Sequence, residues 1–152
     1  MFSVSLRSLY TSLIMSFISL TLGVGLSACQ TPELAITEVS FPSVSGDAEG
    51  PYVIQVTTKG VVEELSARWA RSAPEGAPEA AQLDPQLNRE GVTRAVFIES
   101  SSEGGEALWR VAIPGGAPIA DYSFSLIAEG PSGEARFPRG AGEGEASFQV
   151  RA

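Results

Sequence analysis

From residue 34 onwards, apolar and polar side chains alternate with a period of two, and this alternation predicts β-strands. Tyr52, Ile54 and Val56 fall on one face of a strand over 52–58, with Val53, Gln55 and Thr57 on the other. Leu65, Ala67 and Trp69 point inward from 64–71 while Ser66 and Arg68 point to water. A helix competes for 61–71, but the period around Trp69 favours the strand. A strand over 94–99 sets Val96 and Ile98 against Ala95 and Phe97. Over 107–113, Ala107, Trp109, Val111 and Ile113 share a face, and over 121–129 so do Tyr122, Phe124, Leu126 and Ala128. The last strand, 146–151, carries Phe148 and Val150, and Ala135 with Phe137 opens the same edge ahead of the glycine-rich 140–144. The first, 34–41, changes parity between Ile36 and Val39, which predicts a bulge near Thr37 and Glu38.

Turn residues separate these runs, at 42–51, Lys59-Gly60, 100–105, Pro114-Gly115-Gly116 and Gly130-Pro131-Ser132-Gly133. The longest irregular stretch is 72–91, with Pro74, Pro78 and Pro85 and one helical turn expected near Glu79–Leu83. The expected fold is therefore all-β, an antiparallel two-sheet sandwich of about seven strands. A small antiparallel barrel satisfies the same alternation.

The first 30 residues follow a different pattern. Arg7 is the one charged side chain before Glu33, and 9–26 is an apolar run diluted by Ser and Thr. It ends in Leu26-Ser27-Ala28-Cys29. This leader resembles that of bacterial lipoprotein precursors. The resemblance implies a cleaved signal helix over 1–28, acylation of Cys29 as the new N-terminus, an acylated tether over 29–33 and one domain over 34–152. Two or three acyl chains anchor stably where a single chain is marginal. Gln30 in place of Asp after the cysteine favours the outer membrane over retention at the inner one.

Composition then narrows the chemistry. Cys29 is the only cysteine, so the exported domain has no disulfide. Beyond residue 28 nine basic side chains face eighteen acidic ones, which leaves no basic footprint for nucleic acid. Histidine is absent altogether, which removes the usual general base and the commonest metal ligand. No metal or cofactor motif is present; Gly46-Asp47-Ala48-Glu49-Gly50 has too few ligands for calcium, and 140–144 is not a phosphate-cradling loop. Paired carboxylates suffice for glycoside hydrolysis, and Glu63-Glu64 and Glu143 with Glu145 are the adjacent pairs. Arg68, Arg71, Arg94, Arg110, Arg136 and Arg139 could converge on one sheet face as an anion site, against the plainer expectation of cross-strand pairing with Glu.

The segment 121–129 resembles the tyrosine-containing sixth strand of immunoglobulin-like and fibronectin type III domains. In those domains such a tyrosine, here Tyr122, bonds back to the backbone at a corner. Trp69, on the third strand, sits where they place a core tryptophan, although their paired cysteines are missing here. The leader, the strand count and the missing catalytic set lead to the expectation of a non-catalytic envelope module that binds a protein or glycan partner. The alternatives are a structural subunit of an envelope complex and a carboxylate-based enzyme acting on envelope sugars.

Overall fold

The computed structural model describes residues 32–101, 105–139 and 145–152. The expectations for Leu26, Ser27, Ala28, Cys29 and Glu143 lie outside these residues. The chain divides after Gln30, and the described residues all belong to the unit Thr31–Ala152. They contain ten strands and one helical turn: β1 (Ala35–Ser40), β2 (Val44–Ser45), β3 (Tyr52–Lys59), β4 (Glu64–Ser72), α1 (Glu79–Gln82), β5 (Arg89–Arg94), β6 (Val96–Ser100), β7 (Glu106–Ile113), β8 (Ile119–Gly130), β9 (Gly133–Phe137) and β10 (Ala146–Arg151).

The strands form two separate sheets rather than one closed barrel. One has the order β1-β3-β7-β6; the other has the order β2-β10-β8-β4-β5, with β9 also on β8. The twelve residues of β8 explain the extra strand, because Ile119–Phe124 pair with β10 while Leu126–Gly130 pair with β9. Ala135 and Phe137 thus do share an edge with the last strand. All pairings are antiparallel except β2 with β10, where Val44 and Ser45 run alongside Gln149 and Val150. The expected bulge in β1 is present, as the register with β3 shifts between Ile36 and Glu38.

Alternation places the core correctly. Tyr52, Ile54 and Val56 from β3, Leu65, Ala67 and Trp69 from β4, Trp109, Val111 and Ile113 from β7, Tyr122, Phe124, Leu126 and Ala128 from β8, and Phe148 and Val150 from β10 are all buried in one cluster. Its centre is aromatic. Tyr122 stacks on Phe148 at 4.8 Å, Tyr52 meets Tyr122 edge-on at 5.1 Å, and Phe41 meets Phe124 edge-on at 5.0 Å. Such pairs add about 0.5–1.5 kcal/mol each beyond the area they bury.

Three expectations need correction. The strand count is ten rather than about seven. The strand expected over 94–99 is two strands: β5 pairs with β4, Ala95 crosses over, and β6 pairs with β7 in the other sheet. Gly91 carries the reason for the early start of β5. It lies opposite Trp69, and a Cβ there would stand 2.7 Å from the indole ring, so the glycine makes room for the tryptophan and is not a loop residue. Lastly, 42–51 contains β2, which is defined by its partner and carries no pattern of its own at two residues.

Candidate functional site

β4 and β5 are joined by 73–88, a loop of the compact type whose ends lie close together. The parity of β4 that turns Leu65, Ala67 and Trp69 inward also turns Arg71 inward, at the end of the strand where the core meets this loop. Arg71 is only 5% exposed. Its Nε donates to the Leu87 carbonyl at 3.3 Å. One terminal nitrogen donates to the Gly115 carbonyl at 2.7 Å and to the Tyr122 hydroxyl at 3.4 Å, and the other donates to the Gln86 carbonyl. All of these partners are neutral oxygens. The planar fork of donors suits this task, since a single ammonium cannot face several directions at fixed geometry. The guanidinium thereby ties the 73–88 loop to the β7–β8 connection.

A second side chain closes the loop from within. The Asn88 amide nitrogen donates to the carbonyls of Ala81, Gln82 and Asp84 at 3.2, 2.9 and 2.9 Å, and its oxygen accepts the Ala73 N–H at 3.3 Å. Asp84 accepts the Gln86 N–H at 2.8 Å, an Asx turn. Leu87 packs against the core. The loop is therefore a braced element, tied both within itself and to the body of the domain. It carries Leu83, 74% exposed, and three carboxylates, Glu75, Glu79 and Asp84, and contains no basic residue.

Tyr122 sits at the inner side of this brace. Its hydroxyl donates to the Pro114 carbonyl at 3.2 Å, eight residues upstream, while accepting from Arg71. Beside it, the Tyr52 hydroxyl is buried with no hydrogen-bond partner among the described residues. Burial pushes the Tyr52 phenol up to about 12; Tyr122 and Asp47 add to the rise and Arg71 opposes it. Trp69 is buried, and its indole N–H donates to Thr93 Oγ1 at 3.1 Å across to β5.

The arginines do not converge. Arg68 and Arg94 lie on the outer face of the β4–β5 sheet, Arg110 lies on β7 in the other sheet, and Arg71 is inside. Arg94 pairs with Glu64 at 3.1 Å and Arg136 with Glu134, while Arg139 donates to the Ile36 carbonyl at 3.1 Å. Exposed pairs of this kind contribute little. Nor do the candidate carboxylates share a cleft. Glu63 and Glu145 are exposed and Glu64 is occupied by Arg94. The grooves along the β1–β9 seam, about 520 and 310 Å³, are open and are lined by Glu33, Glu38 and Glu134 instead. Among the described residues no group of three or more Asp, Glu, His or Cys is placed to hold a metal ion.

Sequence reasoning missed the role of Arg71, although the signal was present in the spacing 65, 67, 69, 71; its charge was weighed above its parity. No protein-family model matches the chain, and no curated protein is significantly similar to it.

Proposed function

We propose that this chain is a lipoprotein of the bacterial outer membrane, anchored through acylated Cys29, whose β-sandwich is a non-catalytic, immunoglobulin-like module for binding a protein or glycan of the envelope. The leader ending in Leu26-Ser27-Ala28-Cys29 supports the anchor. Three features support the immunoglobulin-like reading. The order β1-β3-β7-β6 and the core β10-β8-β4 of the other sheet follow the four-plus-three arrangement of such domains, with β2 and β5 added at the edges of the second sheet. The Tyr122 hydroxyl bonds back to Pro114, and Trp69 lies on the third main strand.

The observation that carries the binding role is the braced 73–88 loop. Arg71 and Asn88 hold it in one shape, so little ordering entropy opposes association, and it carries one exposed leucine and three carboxylates. Within the sandwich, β4 runs from the end near Glu33 to this loop, so the loop lies at the opposite end of the domain from Glu33. Its acidic rim and the net charge disfavour nucleic acid, and no cofactor is invoked.

Protease shaving of intact cells bearing a C-terminal tag tests anchor and exposure together. Clipping of the tag from whole cells is expected for an outward-facing recognition module. Protection until the envelope is opened would instead favour a structural subunit facing the periplasm. Cys29→Ser should release the protein from membranes, and unchanged membrane retention would refute the lipoprotein reading.

A further inference from the structure

An open sheet edge is a template for another strand, and folded proteins guard such edges with charge, shortness or cover. Most free edges here are guarded. On β1, Arg139 caps the Ile36 carbonyl beside a bulge; β2 has two residues; β5 carries Arg89, Glu90 and Arg94; β9 carries the Glu134–Arg136 pair. β6 is different. Val96, Phe97 and Ile98 are 64%, 51% and 41% exposed in succession on the edge of the four-stranded sheet, with no lysine, arginine or proline in the strand. Its guard is a bulge between Phe97 and Glu99.

Two charges flank the apolar trio. Arg110 stands across from Val96, and Glu99 stands across from Leu108, both on the outer face of the sheet. Neither has an ion-pair partner among the described residues. On the outer face the edge strand is therefore backed by a cation on β7 level with Val96 and ends its apolar run in the anion Glu99.

The geometry points to β6 as a self-association edge, on which a second copy of this chain pairs antiparallel about a two-fold axis at Phe97–Ile98. That symmetry carries Arg110 of each copy towards Glu99 of the other. Two strand spacings of about 4.7–4.9 Å separate their backbones, a gap that the two long side chains span together. A foreign strand would have to supply both charges in reversed order, whereas a second copy supplies them by symmetry. The pairing joins the two four-stranded sheets into one continuous sheet. It does not depend on the lipid anchor.

The test is photo-cross-linking of the full chain in its native membranes, with benzoylphenylalanine in place of Phe97 and two differently tagged copies expressed together. A product of twice the chain mass carrying both tags is expected, and the same probe at Val53, on the outer face away from the edge, should give none. Glu99→Arg and Arg110→Glu should each lower the product at least fivefold, and the double variant should restore it, which a folding defect would not allow. Monomer alone, a product only with another protein, or no rescue in the double variant would overturn the inference. Loss of the lipid anchor in the Cys29→Ser assay would leave this result unchanged.

Discussion

Replacing Arg71 by Met keeps the length and apolar stem of the side chain and removes the guanidinium. Three carbonyls, those of Gln86, Leu87 and Gly115, then lose their donor, while Tyr122 keeps its bond to Pro114. A buried acceptor left without a partner costs about 1–3 kcal/mol. Gln86 and Leu87 belong to a loop that can loosen and let water in, so the lower end applies to them. Gly115 cannot retreat, because its Cα lies so close to the backbone of Glu49 that an added Cβ would stand 2.4 Å from that carbonyl oxygen. About 1 kcal/mol for each of the loop carbonyls and about 2 for Gly115 gives about 4 kcal/mol. Release of the buried cation from its low-dielectric site returns part of this, so the net expected loss is about 3 kcal/mol. For a domain of this size that corresponds to roughly 10–12 °C in Tm. Urea and thermal melts measure it, and limited proteolysis should show new cleavage within 73–88. Arg71→Lys keeps the charge without the fork and should recover less than half of the loss. A Met variant within about 0.5 kcal/mol of the parent protein would refute the brace, and a Lys variant equal to it would show that charge alone suffices.

Tyr52→Phe removes a buried hydroxyl that has no partner and should stabilise the protein by about 1 kcal/mol in urea melts. The same substitution should alter the alkaline limb. The folded phenol holds its proton more tightly than the unfolded one, so its contribution is fully present below about pH 10 and is lost as pH rises towards 12, at most about 3 kcal/mol. The Phe variant should lack that decline. Thr58→Val preserves shape but strips the acceptor from the Trp109 indole N–H, now bonded at 3.0 Å, and should cost about 1–2 kcal/mol by the same melts. Gly91→Ala drives a methyl against the Trp69 ring, with an expected loss of about 1–3 kcal/mol and a changed tryptophan emission spectrum.

Most of the barrel-or-sandwich ambiguity was about closure, since the strands themselves announce their faces. β3, β4, β7, β8 and β10 could be read in sequence because one side of each is packed and the other wet, so burial imprints a period of two. β6 alternates just as well on paper, with Val96 and Ile98 against Phe97, yet all five of its residues are exposed. Local pattern distinguishes two faces, but it does not say whether either face has anything opposite it. β2 exists through pairing alone. In the brace, Tyr122 was legible through the resemblance of 121–129 to a tyrosine-containing sixth strand, whose hydroxyl bonds back to the backbone. Arg71 was not, because its partners are backbone carbonyls of 86, 87 and 115, which no side-chain pattern reports.

The parallel pairing of β2 with β10 sets how the module bears mechanical load. β1 enters from the end near Glu33, and β10 leaves at the other end, where the Ala152 N–H is held by the Pro118 carbonyl. A pull between Leu34 and Arg151 drags β2 and β10 in opposite directions along their common axis. The contacts Val44–Gln149 and Ser45–Val150, with the Gln149 N–H on the Ser43 carbonyl, are then sheared together instead of being unzipped one at a time. Two residues of strand thus act as a clasp, loaded in shear once tension has passed along β1 and its pairing with β3.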